Sequence, residues 1–143
     1  MKALIVHDRP DVAAVIHELL KAELGCPIDT VGDVFSAKAK LADHWYDIAI
    51  IDLTLPVMAK IPETRLEYVE ALLDDIFEGE ELRTPADLIG ISRDGAAVES
   101  IRSSIGEHVL AVVTEDPDGA WRERLLEKIR YVRNSRRGRL LRT

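Results

Sequence analysis

An unbroken apolar run, Ile48-Ala49-Ile50-Ile51, constrains this chain more than any other feature. A strand with no polar alternation suits burial on both faces, as in a parallel sheet with helices above and below. The run ends in a carboxylate, Asp52, followed by Leu53-Thr54-Leu55-Pro56. Ligands and chemistry collect at the C-terminal edge of such sheets. Asp52 is either a site residue or a loop-capping group, and this segment alone does not separate the two. Pro56 has no N–H to donate and is expected to end regular pairing, with a turn running through Pro62.

Four more stretches read as strands: Lys2–His7, Ile28–Val31, Ala86–Ser92 and Val109–Thr114. Helical patterns separate them. Val12, Val15, Ile16, Leu19 and Leu20 form one stripe, stopped by Gly25 and Pro27. Ser36–Asp43 makes a short alanine-rich helix with Leu41 inward. Glu63–Glu78 is the longest candidate, with Leu66, Val69, Leu72, Leu73, Ile76 and Phe77 on its buried side. Asp94 is placed to cap a fourth helix through about Ser104. Ala120–Val132 is the fifth, and Trp121 is expected to pack it onto the sheet. Strict alternation of strand and helix implies a parallel sheet covered on both faces. A chain of 143 residues accommodates one such domain. Residues 1–132 are assigned to it, and 133–143 to a basic tail with little reason to be ordered alone.

Composition excludes several classes. No apolar run approaches the ~20 residues of a membrane span, and the start reads as a strand, not a secretory signal. Cys26 is the only cysteine, so an internal disulfide is impossible and a cytoplasmic setting is expected. The net charge of −7 hides an asymmetry: nine bases and two acids from Arg122 to Arg142, against eight acids and one base from Glu63 to Glu81. The basic end lacks interleaved aromatics for stacking on nucleic-acid bases, so no direct nucleic-acid contact is expected. His17, His44 and His108 have no partner spacing that marks ligands.

Three strands end in groups able to converge: Asp8 after the first, Asp52 after the third, Ser92 after the fourth. Two neighbouring carboxylates repel unless a cation lies between them. Hard oxygens of this kind suit Mg²⁺. Such an ion could neutralise phosphate oxygens while a carboxylate attacks phosphorus, with Ser92 hydrogen-bonding one of those oxygens.

Over residues 2 to about 132 the chain resembles the receiver domain of two-component response regulators. The likeness rests on Leu4-Ile5-Val6-His7-Asp8-Arg9-Pro10, on Asp47-Ile48-Ala49-Ile50-Ile51-Asp52-Leu53-Thr54-Leu55-Pro56, and on the order of the later strands. It implies a flavodoxin-like, doubly wound α/β sheet of order 2-1-3-4-5. It also implies Asp52 as the aspartate phosphorylated by a histidine kinase or phosphotransfer protein. Asp8, Asp52 and the Thr54 carbonyl would bind Mg²⁺, and Ser92 would be the switch hydroxyl. A homodimer through the fourth helix, fifth strand and fifth helix is implied too. The expected role is phosphorelay signalling through protein contacts, not enzymatic turnover, by a receiver that stands alone or belongs to something longer.

The segment from Asp52 to Ser92 is longer than is usual in the family, with the extra length expected in the acidic third helix and its following loop, and three positions depart from the family. His7 stands where an acid is usual. Asp116-Pro117 stands where Lys-Pro is usual, so an anion replaces a cation. At ~4 Å and an effective dielectric of ~20 one charge pair is worth about 4 kcal/mol. The strand-five aromatic is absent, with Val113 or a neighbour in its place. Arg93 is a candidate substitute cation. The alternative reading is therefore a pseudo-receiver, a protein-binding module that works without phosphorylation. A third is an unrelated metal-dependent α/β phosphotransfer enzyme. No glycine-rich phosphate loop supports a nucleotide binder.

Overall fold

The structure, a computed structural model, describes residues 1–96, 98–100 and 111–142, and the side chains of all of these except 62 and 136–142. Strand β1 (Ala3–Val6) is wholly buried. Helix α1 (Pro10–Leu24) opens on a proline, whose fixed φ suits a first turn. It closes at Gly25, where φ is +58° and the N–H donates to the Lys21 carbonyl. A side chain there would be strained, so glycine is the fitting cap. Strand β2 (Ile28–Val31) follows. Helix α2 (Val34–Asp43) is capped by Asp33, whose Oδ1 accepts from the Ser36 N–H at 2.7 Å.

Strand β3 (Ile48–Asp52) is buried at every position. A short antiparallel hairpin comes next, β4 (Leu55–Met58) and β5 (Ile61–Arg65), before helix α3 (Leu66–Glu78). Then come β6 (Asp87–Ser92), helical backbone at 95–96 and 98–100 (α4), β7 (Ala111–Thr114) and α5 (Trp121–Arg142). Residues 101–110, which include His108 and the ends expected for the fourth helix and fifth strand, lie outside the described residues.

The main sheet has order β2-β1-β3-β6-β7 and every pairing in it is parallel. Counted over its five strands, that is 2-1-3-4-5. Side chains alternate across a strand, so the sheet divides the core in two. Leu4, Val6, Ala49 and Ile51 face α2 and α3. Ala3, Ile5, Ile48 and Ile50 face α1 and α5, where Trp121, Leu125, Ile129 and Val132 pack.

The structure corrects the reading of 55–65. Pro56 does not end pairing; it sits opposite Thr64, as Leu55 sits opposite Arg65. Residues 63–65 are strand, and α3 starts at Leu66. Fully buried Leu55 anchors the hairpin in the core beneath α2 and α3. The C-terminal end also differs from expectation, because α5 runs on to Arg142. Glu23 of α1 holds it, pairing with Arg130 at 3.1 Å and Arg133 at 2.5 Å.

Candidate functional site

The C-terminal edges of β1, β3, β6 and β7 meet at one pocket. Parallel register sets this: Val6 lies beside Ile51, Asp52 beside Ile91, and Ser92 beside Thr114. His7 and Asp8 leave β1, Asp52 ends β3, Ser92 ends β6, and Glu115 leaves β7. Asp52, Ser92, His7 and Glu115 are all buried, while Asp8 and Arg9 are half-buried.

Asp52 is held by the chain just after it. Its Oδ1 accepts from the Thr54 N–H at 3.1 Å and from the Thr54 hydroxyl at 3.2 Å. Its Oδ2 lies 3.6 Å from Nε2 of His7. Ligand atoms of His7, Asp8 and Asp52 all fall within 4.8 Å of one another. Ser92 is at the same edge, but its hydroxyl accepts from the Asp94 N–H at 3.0 Å and so organises the next turn. Asp94 in turn accepts from the Ala96 N–H, the expected cap of α4.

The residue that enters the pocket from β7 is Glu115, not Asp116. The Glu115 N–H donates to the Ser92 carbonyl at 2.7 Å, which continues the ladder by one residue and turns its side chain inward. Its Oε2 lies 3.3 Å from Nε2 of His7, and its Oε1 accepts from Nη2 of Arg9 at 2.5 Å. Asp116 points away: it accepts from the Trp121 N–H at 2.9 Å and from Arg124 at 2.8 Å, capping α5. Pro117 lies in the loop beyond it. Arg93 is exposed, and the guanidinium in the pocket is that of Arg9. Sequence matching by the Asp-Pro dipeptide missed Glu115 and Arg9. Only strand register reveals them, because one residue of slip reverses the side chain's direction.

The tautomer of His7 is assigned by its hydrogen bonds. Nδ1 accepts from the Arg9 N–H at 3.1 Å, so the ring proton resides on Nε2. That proton faces Glu115 and Asp52. Nε2 therefore has no lone pair for a cation, and freeing it would move a proton to Nδ1, against the Arg9 N–H.

The electrostatics follow. Burial pushes the Asp52 carboxyl up to about 7; the nearby Asp8 adds to the rise, while His7 and the Thr54 N–H pull against it. Burial would raise Glu115 too, but hydrogen bonds from His7 and Arg9 outweigh it and hold Glu115 below the usual carboxylate range. Asp116 is also held low, chiefly by Arg124. The site thus contains Glu115 with its own cation and Asp52, whose ionisation burial holds back to about 7, with the half-buried Asp8 beside it. For a hard divalent ion it offers Asp8 and Asp52, a thinner donor set than the usual octahedral site.

No known family profile matches the chain, and no curated protein is detectably similar to it. Solved structures are similar. The chemotaxis response regulator CheY4 of Vibrio cholerae is 18% identical, with a TM-score of 0.61 over 90% of this chain and 97% of that one. The Mn²⁺-bound response regulator Rcp1 is 16% identical, with a TM-score of 0.66 over 92% and 90%. The receiver domain of a Pseudomonas aeruginosa sensor histidine kinase, with magnesium in its active-site cleft, is 21% identical, with a TM-score of 0.61 over 89% and 94%. This chain has the response-regulator receiver fold. Within that fold the hairpin β4–β5 follows directly on the Asp52 strand, ahead of the third helix where the extra length is expected, and among the described residues no helix is long and apolar enough to cross a membrane.

Proposed function

We propose that the protein is an atypical receiver that signals through protein contacts and does not depend on phosphorylation of Asp52. One observation carries this reading: the carboxylate of Glu115 occupies the pocket from β7, tied to Arg9 and His7. The resemblance leads one to expect a lysine there to meet a phosphoryl group. Here the position holds a carboxylate already paired with Arg9, so β7 offers no free cation to attract that dianion. Asp52, half protonated near neutral pH, is also a poor nucleophile.

A cation such as Mg²⁺ would be held by Asp8 and Asp52, with the Thr54 carbonyl as the further ligand the resemblance implies. When bound, it would neutralise anionic oxygens at this edge. His7 adds no ligand, so binding would be weak. The phosphoacceptor reading retains one support: Asp8 and Asp52 do converge, and the Thr54 N–H fixes one Asp52 oxygen while the other faces the pocket. Kinase or phosphotransfer partners belong to that reading, and pairing through α4, β7 and α5 is compatible with either. No catalytic turnover is proposed.

The test is acetyl phosphate, and separately beryllofluoride, each with Mg²⁺, on the native chain and on Asp52→Ala. Intact mass and tryptophan fluorescence are the readouts. The proposal expects no covalent phosphate and no fluorescence response in either chain. A stoichiometric adduct on the native chain, lost in Asp52→Ala, would restore the phosphoacceptor reading.

A further inference from the structure

The face opposite α5 has a preformed groove between α2 and the C-terminal end of α3, with a cavity of about 780 Å³. Its apolar lining is Phe35, 63% exposed, with Ala39, Ala42 and Leu82. Its rim is acidic: Glu78, Glu80 and Glu81. The walls are tied together. Arg83 N–H donates to the Leu41 carbonyl at 2.9 Å, the Thr84 hydroxyl donates to the Ile76 carbonyl at 2.8 Å, and Lys38 pairs with Asp75 at 2.8 Å. Lys38 is thus already engaged, and among the described residues none pairs with Glu78, Glu80 or Glu81.

The location sharpens the argument. A helix C-terminus carries partial negative charge and is stabilised by bases in its last turn. The last turn of α3 has none. It has Asp75 and Glu78, and the following loop adds Glu80 and Glu81. Asp75 is paired with Lys38, but Glu78, Glu80 and Glu81 set like charge against that end of the helix, and a cationic occupant would offset it. An exposed phenylalanine beside them asks for an apolar contact as well.

The chain itself contains a segment of that chemistry. From Lys128 to Arg142 there are seven bases and no acid, and Leu140-Leu141 lies among the last of them. Among the described side chains of α5, Val132 is the last that is buried, and the ten residues 133–142 continue the helix for about 15 Å. The α5 helix packs with α1 on the other face of the sheet from the groove. Its end cannot cross two helical layers and a sheet over that length, so the occupant comes from another copy.

We propose that the α2–α3 groove binds the basic C-terminal end of α5 of a second copy of this chain. The contact joins two different surfaces, so it assembles head to tail and is concentration-dependent. It does not rest on the phosphorylation state of Asp52.

Sedimentation velocity on the full chain tests this. The average mass should rise with concentration at about 0.01 M salt and fall to that of a monomer at about 1 M, where the Debye length shrinks from about 30 Å to about 3 Å. Two charge-reversed chains separate this contact from general stickiness: Glu78→Lys/Glu80→Lys/Glu81→Lys in the groove, and Arg136→Glu/Arg137→Glu/Arg139→Glu in the tail. Each alone should stay monomeric at low salt, and an equimolar mixture should associate again. Glu78, Glu80 and Glu81 are exposed, and circular dichroism checks that both chains retain the fold. A native chain that stays monomeric at low salt and high micromolar concentration would overturn the proposal. So would groove-reversed protein that associates like native, or a groove that takes an unrelated basic amphipathic peptide but not the labelled 128–143 peptide.

Discussion

At the scale of single residues, the pocket pairs an acid and its counter-group in the opposite sense from the one the resemblance predicts. The acid is Glu115 from β7, and the residue beside it on β1 is His7, with Arg9 completing the set. A reciprocal exchange tests this coupling. Glu115→Lys alone sets a cation against Arg9, and His7→Asp alone sets a third carboxylate against Asp8 and Asp52. Each should destabilise the fold, and the double variant should recover about 1–3 kcal/mol of the summed loss, measured by urea unfolding. The double variant should also gain a Mg²⁺-dependent fluorescence or calorimetric response that the native chain lacks. Asp52 supplies a second prediction. Its folded-state value of about 7 exceeds the ordinary 3.8, so the native state binds the extra proton. The contribution of Asp52 is therefore most favourable below pH 4 and is lost as pH rises from about 4 to about 7. Asp52→Asn keeps an oxygen for the Thr54 N–H but cannot ionise. It should match native near pH 4 and exceed it by about 2–4 kcal/mol at pH 8. A stability difference that does not change with pH would show that Asp52 ionises without cost.

At the scale of elements, the hairpin β4–β5 behaves as part of the core at one end and as surface at the other. Leu55 is fully buried, whereas Met58 at the tip is 40% exposed. Leu55→Ala should cost about 2–5 kcal/mol. Met58→Ser should lie within about 0.5 kcal/mol of native. Thermal or urea melts of both check the contrast, and equal effects would mean the hairpin is not anchored as described. This is also the element the sequence concealed. Pro56 and Pro62 look like breakers, yet a two-stranded ribbon has outer edges where a missing N–H costs nothing. The central strands were legible because Ile48–Ile51 and Leu4–Val6 leave no polar face to read otherwise, whereas β2, with Asp29 and Thr30, is only partly buried. The caps were legible from Gly25, Asp33 and Asp94 for equally local reasons. The pocket was legible only in part. Asp8 and Asp52 announce themselves as acids ending apolar runs, and the structure brings them together with His7. Glu115 does not, because Glu115, Asp116 and Asp118 are equivalent on composition and only the pairing of Ser92 with Thr114 decides which faces in. The end of α5 was hidden for a related reason, since its anchor, Glu23, lies 107 residues away from Arg130.

At the scale of the whole molecule, the central strand joins two cores that do not touch each other directly. Ile51 belongs to the core under α2 and α3, and Ile50 to the core under α1 and α5; both are fully buried. A Cβ on Gly90, opposite Ile51 on the next strand, would lie 3.1 Å from Cδ2 of Leu53, which would have to give way by a few tenths of an ångström. The sheet is therefore packed tightly on the side where the hairpin leaves it. A shared strand makes the two cores thermodynamically dependent: unfolding either one strips β3 of half its packing and unpairs it from β1 and β6. Ile50→Ala and Ile51→Ala should each cost about 2–5 kcal/mol. Each should shift a single transition, with far-ultraviolet circular dichroism and Trp121 fluorescence, read in a Trp45→Phe background, moving together, although Trp121 lies only in the core that contains Ile50. Chains of this size usually unfold in one step. If Ile51→Ala instead left the tryptophan signal at its native midpoint while the helical signal fell early, the α2–α3 side would be a separately melting unit. The groove proposed above as a docking surface would then belong to the weaker half of the fold.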